Sequence, residues 1–242
     1  MRERFDCESC AVRDRGLCSA VSEAAAVEIR RIAHHKRALS RQVIFGGDQP
    51  PAWLAIVVSG VIKLVKTQKD GRQQIVGLRF PGDLIGRPYA ENHPLIAEAT
   101  TKLEFCCFTK ATFEELMQKH PSVEAALLKR TLDDLDASRE WMFVLGRKTA
   151  REKLASLLAS ISLRFLGSAP RAEGDDAPLR FDLPLSRNEI ADFLGLTTET
   201  VSRELRALRA MGLIATRGWR HLEVLKLAAL GALADGESLS PV

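Results

Sequence analysis

Long apolar runs are absent from this 242-residue sequence: the longest, Ala52 to Val58, spans seven residues, whereas a helix needs about 20 to cross a bilayer core. No membrane span is expected. The opening stretch Met1-Arg-Glu-Arg-Phe-Asp-Cys7 lacks an apolar segment with a small-residue cleavage site behind it, so no secretory signal is read there and a cytoplasmic chain is expected. A strong charge imbalance is also missing. Lys and Arg number 35 against 31 Asp and Glu, a net charge of +4, which permits an acidic partner without demanding one. There is no G-x-x-x-x-G-K-[ST] phosphate loop, no convincing pairing of nucleophile and base, and no thioredoxin-like setting for a C-x2-C pair, so the chain is not expected to be an enzyme.

What is there is an ordinary folded composition, 46% hydrophobic and 27% charged, which excludes disorder, collagen and a bare coiled coil and allows one large or two ordinary domains. The pattern Val21, Ala25, Ile29, Ile32 predicts an amphipathic helix from Val21 to about Arg37. From Leu39 to about Phe113 the texture changes to short β-branched runs broken by Gly and Pro: 43–45, 53–58, 61–65, 74–78 and 103–108. Asp70-Gly71 lies between two of them, a pair suited to a tight hairpin. Such strands suggest a small barrel or roll.

After Pro121, residues 122–145 contain neither Gly nor Pro. Leu128, Thr131, Leu135, Ser138, Met142 and Leu145 recur at three- and four-residue steps, a seam for a partner helix or for the chain's own roll. A second helix is expected from about Arg147 to Phe165, and the Gly-, Pro- and acid-rich stretch 167–178 is a surface loop. Ser186-Arg-Asn-Glu189 forms a capping box opening a helix that Gly195 stops. Thr197 caps the next helix, which runs to about Met211 and ends at Gly212. Helix, short turn with Gly, helix is the helix-turn-helix pattern, and 214–224 reads as a hairpin turning near Gly218, a wing.

On the second of those helices Val201, Leu205 and Leu208 make a buried face, while Glu199, Ser202, Arg203 and Arg206 point away. In a major groove Arg gives two hydrogen bonds to guanine, Glu accepts from cytosine, and Ser serves either base. A solvated charged face is the alternative. Arg206, Arg209, Arg217, Arg220 and His221 add positive groups on helix and wing where phosphates would lie, which favours double-stranded DNA as the partner.

Cysteine is odd in number, five in all, and Cys7, Cys10 and Cys18 follow C-x2-C-x7-C. Thiols this close in a reducing compartment are metal ligands or redox centres more often than disulfides. Three cannot complete a tetrahedral zinc or a four-iron cluster, which take four ligands each. Cys106 and Cys107 sit on the last expected strand, where neighbours face opposite ways, so one of them can supply the fourth. Spacing does not choose between zinc and iron-sulfur.

These stretches and their order resemble the Crp/Fnr family of bacterial transcription regulators over nearly the whole chain. Within the family the similarity is greatest to Fnr-type oxygen sensors, the FnrN/FnrL-like branch with seven residues before the third cysteine. The segment from Leu185 to Leu205, Val58-Ser-Gly-Val-Ile-Lys63 and Phe80-Pro-Gly-Asp-Leu-Ile-Gly86 carry the resemblance. It implies an α+β fold: a cupin-like β-roll sensory domain, a long dimerisation helix and a C-terminal winged helix-turn-helix. The corresponding boundaries are a cysteine segment at 1–20, the roll at 21–118, the helix at 119–146 and the DNA-binding domain at 147–242.

The resemblance further implies a homodimer joined through Leu128, Leu135, Met142 and Leu145. It implies readout of TTGAT-type inverted repeats by Glu199, Ser202 and Arg203, with Thr197, Arg206, Arg217 and Arg220 on the DNA backbone. Cys7, Cys10, Cys18 and one roll cysteine would hold an oxygen-labile 4Fe-4S cluster. Counting back from Lys119-His-Pro121, that cysteine falls on Cys106, with Cys107 an extra. Asp70 and Gly71 match a surface that touches RNA polymerase. The expected function is therefore an oxygen-responsive regulator that binds DNA when loaded; the alternative is a family member with structural zinc or no metal whose roll binds another effector. The Arg-Ser/Thr-Ala element of cyclic-nucleotide-binding relatives is missing after Gly82-Asp83, and Arg87 lies too near the turn, so a cyclic nucleotide is not expected. A haem on His93 would leave the cysteines unexplained.

Overall fold

The computed structural model describes residues 7, 10–47, 52–91, 93–166, 177–218 and 220–237. They divide into two compact units, Met1–Asp136 and Ala137–Val242, with the division inside the long helix and not at either of its ends. The expected loop 167–178 lies outside the described residues except for Ala177 and Pro178, and so does the side chain of His93.

In the first unit, α1 (Gly16–Ala20) and α2 (Glu23–Ile32) precede the strands β1 (His34–Ala38), β2 (Val43–Gly47), β3 (Trp53–Ser59), β4 (Ile62–Thr67), β5 (Gln73–Arg79), β6 (Leu84–Ile85), β7 (His93–Ala99) and β8 (Leu103–Thr109). The helices α3 (Lys110–Lys119) and α4 (Pro121–Arg147) follow. The strands form two four-stranded sheets, β1-β8-β3-β6 and β2-β7-β4-β5, each with antiparallel pairings. Ala55, Val57, Phe105 and Cys107 join Ile62, Ala97 and Ala99 in one core cluster, between the sheets. Leu54, Ile56, Val58, Cys106 and Phe108 turn the other way, against Leu17, Ala25, Ile29, Phe113, Leu116 and Val123 of the helices. A strand covered on both faces reads as an unbroken apolar run rather than an alternating one. The seven-residue run at 52–58 is therefore β3.

One expectation is corrected here. The first amphipathic helix stops at Ile32, not near Arg37, because Ala33 takes an extended conformation and His34–Ala38 pair with β8 in register His34↔Cys107 to Ala38↔Leu103. Polar residues at the edge of a sheet carry no helical or strand periodicity of their own, and tertiary pairing decided their state. The Asp70-Gly71 turn is a three-residue connection: the Gln68 N–H reaches the Arg72 carbonyl at 2.8 Å, and Gly71 sits at φ +88°. That is the geometry of a type I turn followed by a left-handed residue.

The Pro81-Gly82-Asp83 turn joins two parts of this unit. Gly16, at φ +58°, lies so close to Gly82 that a Cβ on it would overlap the Gly82 carbonyl. Asp83 is buried, accepts the Phe80 N–H at 2.9 Å, and binds Arg130 of α4. Arg79 pairs with Asp134, one turn further along α4, at 2.9 Å.

The second unit contains the end of α4, α5 (Ala150–Leu166), β9 (Leu179–Asp182), α6 (Arg187–Leu194), α7 (Thr198–Ala210), β10 (Ile214–Arg217), β11 (His221–Val224) and α8 (Leu227–Ala234). Its sheet runs β10-β11-β9. Ser186 and Glu189 form the capping box, Gly195 closes α6 in the left-handed region at φ +63°, and the Thr197 hydroxyl caps α7. Leu154, Leu157, Leu158 and Ile161 of α5, Ile190 and Leu194 of α6, and Val201 and Leu208 of α7 are buried. Trp141 meets the Phe193 ring edge-on at 4.7 Å. The strand β9 and the helix α8, which packs on α5, were not expected from the sequence.

Candidate metal centre and nucleic-acid interface

Cys7, Cys10, Cys18 and Cys106 line one cavity of about 310 Å³ in the first unit. Cys18 is carried there by α1, which opens at Gly16, and Cys106 by β8, whose outer face turns toward the N-terminal helices. Val12, Ile29, Ile56, Val58 and Phe108 supply apolar wall, and Arg13 and Arg30 reach its lining. Burial pushes the Cys18 thiol up to about 12, with the charges of Cys10 and Cys7 adding to the rise. The Cys106 thiol is likewise pushed up to about 12, by burial first and then by Cys10, Cys7 and Cys18. Cys18 and Cys106 thus feel the other thiols across the cavity, and nearby positive charge would favour their thiolates.

Cys107 faces the opposite way. It lies among the residues between the sheets, its Sγ 3.2 Å from the His34 carbonyl oxygen. The alternation expected of neighbouring strand residues thus puts Cys106, not Cys107, on the cavity. Among the described residues, no three His, Cys, Asp or Glu side chains are gathered closely enough to hold a single metal ion. Four thiol donors around one cavity fit either a tetrahedral zinc or an iron-sulfur cluster, each of which takes four ligands.

In the second unit, α7 presents Glu199, Arg203 and Arg206 to solvent and Ser202 at partial exposure. The carboxyl of Glu199 is held below the usual carboxylate range by a backbone N–H and by the Thr197 hydroxyl. It sits in the first turn, where a helix N-terminus favours negative charge. Arg203 donates from Nε to Glu204 at 3.2 Å, and Arg206 from Nε to the Ser202 carbonyl at 3.3 Å. Thr197 accepts the Thr200 N–H at 3.2 Å. Arg217 is exposed at the end of β10, and Arg220 is half-buried just before β11. Two residues that the sequence reading passed over also belong here. Arg187, the first residue of α6, donates to the Ser202 hydroxyl at 3.3 Å, and Glu204 is buried between Arg151 and Arg203. The available signal for Glu204 was an acid three residues after Val201, on the apolar face of its helix.

Of the seam on α4, Leu128 and Leu135 are exposed in the first unit, Leu128 to 60%; in the second, Met142 is 74% exposed and Leu145 half-buried. Leu132 and Phe143 are exposed apolar residues of the same helix. Asp70 accepts from the Arg72 backbone N–H and Nε at 3.1 and 2.8 Å, bonds that hold its carboxyl below the ordinary range. Arg87 is exposed. The space between the sheets is filled by Phe105, Cys107 and Leu103, with Trp53 stacked on Phe105 at 5.7 Å.

Residues 152–233 match the family model described as Crp-like helix-turn-helix domain, and residues 35–120 the one described as cyclic nucleotide-binding domain. The chain is 46% identical over 233 residues to the transcriptional activator protein FnrL of Cereibacter sphaeroides, covering 96% of this chain and 93% of that protein. The chain belongs to the Crp/Fnr family of transcription regulators. It is also 26% identical to the fumarate and nitrate reduction regulatory protein of Salmonella typhi, over 94% of this chain and 90% of the relative. Among solved structures, FixK2 from Bradyrhizobium japonicum superposes with a TM-score of 0.73 at 30% identity, covering 87% of this chain and all of that one. As a Crp/Fnr regulator of the Fnr/FixK type, the chain binds DNA through its helix-turn-helix, and no described helix is long and apolar enough to cross a membrane.

Proposed function

We propose that this regulator is oxygen-responsive, binding inverted TTGAT-type repeats as a homodimer when a 4Fe-4S cluster is held by Cys7, Cys10, Cys18 and Cys106. The observation that carries the reading is that these four thiols, from α1, β8 and the segment before them, line a single sheltered cavity. A cluster bound there supplies the lability to oxygen.

The chain's own residues do the rest. The four cysteines tie the N-terminal segment to the outer face of the roll. Gly16 seats that segment on Gly82, and the neighbouring Asp83 grips Arg130 of α4. The position of the cysteine segment therefore bears on the helix that carries Leu128, Leu135, Met142 and Leu145, which meet their equivalents in a second copy. Binding two consecutive major grooves requires recognition helices about 34 Å apart, so the packing of α4 on its partner sets whether both α7 helices can enter. Glu199, Ser202 and Arg203 then read base edges, while Thr197, Arg206, Arg217 and Arg220 take phosphates. Asp70 and Gly71 offer an exposed turn for RNA polymerase.

The test is iron, acid-labile sulfide, zinc and the visible spectrum of protein purified without air, recorded before and after oxygen is admitted. About four irons and four sulfides per chain are expected, with visible absorbance that bleaches in air. Stoichiometric zinc without labile sulfide would instead leave a DNA-binding regulator whose signal enters through the roll.

A further inference from the structure

The buried face of α7 is apolar, made by Val201, Leu205 and Leu208, with one exception: Glu204 is only 6% exposed. With Asp83 it is one of two charged side chains buried among the described residues. A carboxylate among apolar neighbours is costly, and an apolar residue of similar size generally packs at least as stably. Packing therefore does not account for this charge.

Its partners do. One oxygen of Glu204 accepts from Nε of Arg151 on α5 at 2.9 Å; the other accepts from Nε of Arg203 at 3.2 Å. Burial pushes the Glu204 carboxyl up, but the bonds from Arg151 and then Arg203 outweigh it and hold the group below the usual range. Arg203 itself is 64% exposed along its side chain, which makes no other hydrogen bond among the described residues. Its two terminal nitrogens therefore stay available, with the root of the guanidinium fixed.

We infer that Glu204, anchored by Arg151, is a positioning residue for base readout: it holds the Arg203 guanidinium by Nε so that the terminal nitrogens meet guanine as a pre-set fork. The inference rests on Arg203 being a base-reading residue. An arginine already held in one rotamer loses less freedom on contact than one ordered by the DNA, and a fixed plane sharpens bidentate recognition. Glu204 is too buried to read a base directly.

The test uses the full chain purified without air and two duplexes, one with inverted TTGAT repeats and one with the guanine of each half-site replaced. The ratio of the two affinities is the readout, for wild type, Glu204→Gln, Glu204→Met, Arg203→Ala, and each Glu204 variant combined with Arg203→Ala. A good bidentate pair discriminates roughly 5- to 150-fold. Both Glu204 variants are expected to lower that ratio several-fold while changing affinity for the replaced duplex little. Glu204→Met keeps an apolar buried face, so a melting temperature at or above wild type separates the effect from misfolding. In the Arg203→Ala background neither change should move the ratio further. Equal losses on both duplexes would make Glu204 a fold element only, and a raised ratio would make it a restraint on Arg203; either overturns the inference. If Arg203→Ala leaves the ratio at wild type, the base-reading assignment itself fails and takes the inference with it.

Discussion

Two adjacent cysteines on β8 have opposite addresses. Cys106 lines the cavity with Cys7, Cys10 and Cys18, whereas Cys107 lies between the sheets with its Sγ on the His34 carbonyl. Cys106→Ser should therefore lose most of the iron and sulfide found in protein purified without air, and Cys107→Ser should keep both; metal analysis of the two proteins side by side checks this. Iron retained by Cys106→Ser and lost by Cys107→Ser would reverse the assignment. This pair holds the only other cysteines of the sequence; strand alternation allowed one of the two, and the family resemblance, counted back from Lys119-His-Pro121, put the fourth ligand on Cys106. Periodicity alone could not show which face was which, because a strand buried on both sides has no polar face to mark the outside. Glu204 was visible as an acid that spacing places on the apolar face of α7, but its role was not, because only the positions of Arg151 and Arg203 reveal why a charge is tolerated there.

Elements with strong periodicity were legible, and those stabilised by their neighbours were not. The capping box at Ser186, the left-handed Gly195 and the apolar positions of α7 located the helix-turn-helix to within a residue or two. The strand β1 was hidden because His34 to Arg37 are polar and become a strand only by pairing with β8. The short β6 and the Pro-containing β7 were missed as well, both being held by partners distant in sequence. Gly16→Ala places a Cβ against the Gly82 carbonyl and a side chain at φ +58°; the left-handed conformation alone costs about 1–2 kcal/mol. A lower melting temperature and poorer retention of iron are expected, whereas unchanged behaviour in both would remove the seat from the account. Leu135→Glu places a charge on the exposed apolar seam of α4 and should shift the chain toward monomer in sedimentation velocity, with weaker binding to the palindrome. Gly71→Ala, at an open turn with φ +88°, should lower transcription in a reconstituted system while leaving DNA affinity intact; equal loss of both would count against a polymerase contact there.

At the scale of the whole molecule, net charge told little. An excess of four positive charges is too small to name a partner, and it was the grouping of Arg206, Arg209, Arg217, Arg220 and His221 on one helix and its wing that indicated nucleic acid. The order of parts was equally legible: cysteine segment, roll, long helix, winged domain. What composition and periodicity could not supply is the link between the first part and the third. It consists of a backbone contact at Gly16 and Gly82 and an ion pair between buried Asp83 and half-buried Arg130, neither of which has a sequence pattern. On the proposed function, this chain of contacts makes DNA binding answer to oxygen. The sharpest test is the affinity of the full chain, purified without air, for a labelled duplex with inverted TTGAT repeats, repeated on the same sample after exposure to air. Tight, salt-dependent binding is expected, weakening at least tenfold as the visible absorbance bleaches. Equal affinity before and after, with the absorbance gone, would contradict it.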